Sequence, residues 1–345
     1  MKTWLERMLL GPAVVILLSF AACNGGMSGA SLPSSQNGTA SAKVPTTDSC
    51  LSETCIYVAA GSSSTASKNL VAAFASTANG NVPPIQYIKG TKTKLDFNYQ
   101  GGIAVGSDYK IYVSNADNDT ITVYAAGATG NAKPIQTISG SNTGLSNNKH
   151  IALDSDGNIY VANYSGGSTG NILVFAAGAN GNVSPIQTIG GSNSDIDEPF
   201  GIAVDAEDNI YVAQLYGHGI LVFPAGSNGN VAPTQNITGT GTYDYGIAVD
   251  STQEIYSAEG NWIHVYAAGA TGNATPIRQV AGTKTKLNNL SSIALNGSNM
   301  YVTNDTKTVL VFAANANGNA KPLQIIQGTS TMLKDNDLRP GLAVR

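Results

Sequence analysis

Five copies of one short apolar motif end in a side chain that can offer oxygen to a ligand: Asn115, Asn163, Gln214, Glu259 and Asn304. The copies read IYVSN, IYVAN, IYVAQ, IYSAE and MYVTN, and a sixth, IYVAA, ends in Ala60 with no polar group. A ring of amides with one carboxylate would suit Ca2+, which takes roughly six to eight oxygen ligands. The plainer reading is that such residues end strands because their side chains bond nearby backbone. A second set precedes or opens another repeated motif, GIAV: His150, Phe200 and Tyr245, with Tyr99, Lys149 and Ser292 beside them. Asp117, Asp119, Tyr164, His218, Trp262 and Asp305 follow the first motif and extend the candidates.

The chain has three histidines. His150 and His218 could serve as acid and base only if the fold brought them within hydrogen-bond reach. His264 lies inside an apolar run and reads as structural. The segment DSDGN, 154–158, resembles the start of a Ca2+ loop but lacks the later ligands and the distant Glu, so a hairpin turn is the better reading. No Ser–His–Asp set, phosphate loop or Cys/His zinc spacing is present. With 18 Lys and Arg in 345 residues and a net charge of -4, the chain lacks the basic face that nucleic acid requires.

Four landmarks recur six times each and supply the elements that must carry these residues. GIAV and its variants start at Gly102, His150, Gly201, Gly246, Ser292 and Gly341. The IYVAN motif, a YAAG or FAAG element and a PIQ element alternate with them. A period of about 45–55 residues predicts propeller blades of four strands. The runs are short, β-branched and aromatic, bounded by Gly, Asn, Asp and Pro. Small GIAV suits the innermost strand, and Pro in PIQTI suits an edge strand. The order from axis to rim is therefore GIAV (strand A), IYVAN (B), ITVYAAG (C) and PIQTI (D). The first unit lacks a strand A and the chain ends in a spare one, GLAVR, so the ring is expected to close by pairing Gly341–Val344 beside Ile56–Ala59. The fold expected is an all-β, six-bladed β-propeller over residues 50–345. Loops D–A and B–C share its top face. The A–B and C–D loops share the bottom, where near-identical turns such as AGATGN read as structural.

The pattern in EPFGIAVDAEDNIYVAQ (198–214) and HIALDSDGNIYVANY (150–164) resembles the NHL-repeat family of propellers, from about residue 55 to the end. That resemblance implies the propeller fold and leaves function open, because related propellers include binding scaffolds, lactonase-like enzymes and lyases. The gluconolactonase-like ones place a similar mixture of Glu, Asn and Asp at one channel mouth, and the streptogramin-lyase-like ones use His beside a metal; their longer motifs are absent here.

Residues 1–23, MKTWLERMLLGPAVVILLSFAAC, have the basic, apolar and small-residue order of a bacterial export signal. Their end resembles the lipobox of bacterial lipoproteins, with Cys23 as the lipid acceptor, although Phe20 departs from its small aliphatic residue. An ordinary secretory signal or an uncleaved anchor would export the chain equally. Residues 24–49 form a Gly/Ser/Thr-rich flexible linker. Cys50 and Cys55, in CLSETC, are then a pair for a small-loop disulfide in an oxidising compartment, the competing reading being a metal or redox pair with no other Cys and no nearby His to complete it. The sequence thus predicts an exported, lipid-anchored monomer on the periplasmic or extracellular side of a membrane, a non-catalytic scaffold. Its partner would be a small molecule, a glycan or an envelope protein, with no nucleic acid. No cofactor is expected beyond the Ca2+ considered above, and the alternative is a Ca-assisted, lactonase-like hydrolase or lyase at the channel mouth.

Overall fold

The computed structural model describes residues 50–61, 69–97, 101–165, 170–216, 219–239, 244–333 and 340–345. The expected signal and linker, with Cys23, lie outside the described residues, as do Tyr99 and His218.

The strands form six four-stranded antiparallel sheets. The first holds Cys55–Ala60 (β1), Leu70–Ala75 (β2) and Gln86–Ile88 (β3). Blade 2 is Ile103–Val105 (β4), Ile111–Asn115 (β5), Thr120–Tyr124 (β6) and Gln136–Ile138 (β7). Blade 3 is Asn148–Leu153 (β8), Ile159–Asn163 (β9), Asn171–Phe175 (β10) and Gln187–Ile189 (β11). Blade 4 is Pro199–Val204 (β12), Ile210–Gln214 (β13), Ile220–Phe223 (β14) and Gln235–Ile237 (β15). Blade 5 is Asp244–Val249 (β16), Ile255–Glu259 (β17), Trp262–Tyr266 (β18) and Arg278–Val280 (β19). Blade 6 is Leu290–Asn296 (β20), Asn299–Asn304 (β21), Thr308–Ala313 (β22) and Gln324–Ile326 (β23). Gly341–Val344 (β24) completes blade 1 as its inner strand, in register Val58↔Leu342 and Ile56↔Val344, so the ring closes as the repeat count requires.

Second strands are buried along their length because both faces of a blade meet a neighbour; Tyr160, Ile172 and Val174 of blade 3, for example, pack on Ile210, Val212 and Phe223 of blade 4. At the axis the inner strands approach so closely that their glycines leave no room for a side chain. A Cβ on Gly102 would lie 2.4 Å from the Lys149 carbonyl oxygen, and one on Gly341 would lie 1.9 Å from that of Gly101.

The repeated turn AGATGN has a use beyond joining C to D. Its second glycine laps onto the outer strand of the preceding blade: Gly130 N–H donates to Tyr87 O at 2.7 Å and Gly130 O accepts from Lys89 N at 2.9 Å. The Asn that follows reaches further. Asn131 Oδ1 accepts from Lys92 N at 2.7 Å, and Asn182, Asn230, Asn319 and Asn81 do the same on Asn142, Asn193, Lys284 and Ser330. Each blade is thereby clasped to the one before it, and blade 1 is clasped to blade 6.

The A–B turns are anchored by aspartate. In DSDGN, Asp154 accepts from Asn158 N, Asn158 Nδ2 and the Tyr160 hydroxyl; Asp205 makes the same three bonds with Asn209 and Tyr211. The segment is a hairpin turn, as expected. One expectation needs correcting. In blades 3 to 6, strand A starts three residues before the IAV or IAL core, and a bulge interrupts its pairing with strand B.

Candidate functional site

That bulge builds the mouth of the ring. In blade 4, Pro199 pairs with Gln214 and Gly201 with Ala213, leaving Phe200 between them. Tyr245 is left out in the same way in blade 5, and Ser291 in blade 6. In blade 3, Asn148 pairs with Asn163 and Ile151 with Val161, so Lys149 and His150 lie in the irregular stretch. Bulges re-aim side chains that a regular ladder would alternate across the sheet. The equivalent positions in blades 2 and 1 are Gly101 and Pro340, so the mouth is bulky on one side and small on the other.

The bulky side forms one cluster. The His150 and Phe200 ring centroids are 5.0 Å apart, and those of Phe200 and Tyr245 are 5.2 Å apart, edge to face. Lys149 Nζ stands 5.1 Å from the Tyr164 ring centroid and 6.0 Å from that of Phe200, and donates to Asn147 Oδ1 at 2.7 Å. The Tyr164 hydroxyl donates to Glu198 Oε1 at 2.9 Å. Burial pulls the Lys149 amine down to about 8, against the opposing pull of Asp117 and Asp119. Burial, reinforced by Lys149, holds His150 down at about 4, so its imidazole is neutral at pH 7. The cluster is packed inward, with Phe200 and Tyr245 almost wholly covered and Lys149 and His150 buried, so it holds one largely protonated amine and one neutral imidazole among aromatic rings.

The strand-B ends are buried and face their own loops. Asn115 Oδ1 accepts from Asp96 N at 3.0 Å, Asn163 Oδ1 from Ser146 N at 2.7 Å and Gln214 Oε1 from Asp197 N at 2.6 Å. Asn163 Nδ2 donates to Gly144 O, and Asn304 Nδ2 donates to Lys286 O at 2.9 Å. These amides hold the D–A loops that carry the mouth, rather than converging on a common point. Among the described residues no group of three or more His, Cys, Asp and Glu is gathered as a metal would need.

Glu259 departs from the amide pattern. Its Oε2 lies 3.1 Å from His264 Nδ1, and His264 Nε2 lies 3.0 Å from Gln279 Nε2. His264 is thus tied to one of the candidates, and Gln279 joins the set unforeseen. The signal that could have revealed it is departure from the repeat: where blade 5 has Ser257, the other five copies have Val. Asp119 Oδ1 accepts from Asn147 N, while Trp262 is exposed. A disulfide joins Cys50 to Cys55.

No family model matches the chain, and no curated protein matches it. Among solved structures, it is similar to a chain in the crystal structure of a nidogen–laminin complex, at 14% identity and a TM-score of 0.57, over 84% of this chain and 98% of that one. It is also similar to a protein of unknown function from Bacteroides caccae, at 12% identity and a TM-score of 0.58, over 84% of this chain and 99% of the other. Likeness at these identities establishes the propeller fold.

Proposed function

We propose that this chain is an exported, lipid-anchored propeller of the NHL-repeat kind that binds its ligand at the mouth without transforming it. The observation that carries the reading is the convergence of Lys149, His150, Phe200 and Tyr245 through bulges on one side of the ring. A cation against aromatic faces favours a ligand with an acidic or oxygen-rich group beside a flat apolar part. A small molecule, a glycan or an envelope protein can carry such a group. Glu259 engages His264, and His150 lies among rings, which favours binding over the lactonase-like alternative. The export signal and lipobox-like end of residues 1–23 support delivery to a membrane surface.

The test is a thermal-shift screen of the full chain against small carboxylates and acidic sugars, with and without Ca2+. A ligand at a hundred times its Kd adds about 2.7 kcal/mol to the native state. The reading expects a hit that Phe200→Ala abolishes; it fails if no compound raises the Tm, or if a hit is turned over. Anchoring is tested by incorporation of labelled fatty acid, which Cys23→Ala should remove and which must be present in the wild type.

A further inference from the structure

Blade 5 differs from its five internal copies on one face. Tyr266 packs toward Tyr211, Ala213 and Ile220 of blade 4, and strand alternation puts His264 and Trp262 on that same side. Ser257 and Gln279 are the cross-strand partners of His264, and Glu259 is that of Trp262. Where His264 stands, blades 3, 4 and 6 have Leu173, Leu221 and Leu310. Blade 2 has Thr122 there, bonded by Asn115, and blade 1 has Ala72, so what sets blade 5 apart is a carboxylate and an imidazole on this face.

The row is built from the inside outward. Glu259 is buried, and its Oε2 lies 3.1 Å from His264 Nδ1, an ion-pair distance without hydrogen-bond alignment. On the other side of the ring Nε2 lies 3.0 Å from Gln279 Nε2, and that amide keeps a second N–H and its carbonyl for a ligand. Trp262 is 47% exposed, and its ring lies nearly parallel to the imidazole, at 13° and 6.3 Å between centroids. It stands on a rigid hairpin: Gly260 takes a left-handed φ of 49°, and Asn261 Oδ1 accepts from Asn289 N at 2.7 Å. A flat apolar plate therefore adjoins a fixed pair of planar hydrogen-bonding groups.

We infer that this face of blade 5 binds a neutral saccharide unit, with the sugar ring stacked on Trp262 and its hydroxyls bonded by the Gln279 amide, which His264 holds in place. A pyranose has a C–H face that lies on an aromatic ring and hydroxyls at its edge that need such partners. Glu259 supplies a carboxylate to the row and no Lys or Arg belongs to it, so an acidic polymer gains nothing there. The site is separate from the mouth and does not depend on the reading of it.

The chain has two tryptophans, Trp4 and Trp262, so in the full chain carrying Trp4→Phe all tryptophan emission comes from this site. The probes are hexasaccharides of β-1,4-linked glucose, β-1,4-linked N-acetylglucosamine and α-linked mannose, with hexagalacturonate as the acidic control. At least one neutral probe should change the emission saturably. By calorimetry Trp262→Ala should then weaken binding at least about tenfold and Gln279→Ala about three- to tenfold. Trp262→Tyr should restore most of the affinity, and Phe200→Ala should leave it unchanged. The inference is overturned if no neutral probe saturates, if only the acidic one does, or if Trp262→Ala binds as wild type. It is equally overturned if Phe200→Ala is the variant that loses the sugar.

Discussion

Lys149 and His150 share one bulge, and burial lowers both, yet at pH 7 the amine keeps most of its charge while the imidazole is neutral. Because His150 in the folded chain titrates near 4 and ordinarily at 6.5, the unfolded chain takes up a proton first as pH falls. Stability should therefore decline from about pH 6.5 down to about 4, by up to roughly 3 kcal/mol from this residue alone. The urea midpoint measured across that range should flatten in His150→Phe relative to wild type. For Lys149 the cost of burying charge is in full force below about pH 8 and disappears as pH climbs toward 10.5. Lys149→Met should accordingly stabilise the protein at pH 7 by roughly 1–3 kcal/mol while removing ligand binding at the mouth. A destabilised Lys149→Met protein would mean that the contacts with Tyr164 and Phe200 outweigh desolvation.

At the scale of the element, two kinds of asparagine look alike in sequence and differ in consequence. Asn163 is buried and serves Ser146 N and Gly144 O, so Asn163→Ala should cost about 1–3 kcal/mol in chemical denaturation. Asn182 clasps Asn142 N on the exposed rim, where water can replace it, and Asn182→Ala should cost about 0.5–1.5 kcal/mol or less. Equal losses would contradict the distinction. The strands themselves were legible because motifs such as IYVAN and ITVY are apolar, β-branched and bounded by turn residues. The bulges were not, because Lys149 and Pro199–Phe200 precede the GIAV-type motif and read as loop, and His150 read as an ordinary first residue of strand A. The members of the mouth could thus be named from the sequence, whereas their meeting could not: it depends on an irregular strand and on blades about 50 residues apart in the chain. The partnership of Glu259 and His264 stayed hidden for a related reason, since a single His in an apolar strand reads as core.

At the scale of the molecule, removing residues 340–345 takes away β24 and with it the inner strand of blade 1. Leu342 is buried, and Cys55 and Arg345 exchange backbone bonds of 2.7 and 3.0 Å. The loss should be at least about 3 kcal/mol, counting Leu342 burial and the ladder bonds together, and should show as a lower Tm or as aggregation. A truncated chain that melts with the wild type would mean that the rim clasp between blades 1 and 6 holds the ring unaided. The offset by which the last strand sits in the first blade also bears on how the ring comes apart. In an open array of repeats the terminal units fray first, and amide exchange is graded from the ends inward. Here the two terminal segments of the propeller share a sheet, so neither end is a free repeat that can peel away. Unfolding should be all-or-none around the ring, with slow amides of the second strands exchanging at similar rates from blade 1 to blade 6. A circular permutant that joins Arg345 to Cys55 and opens at Ser192 would make every blade contiguous in sequence, and should bring the gradient back.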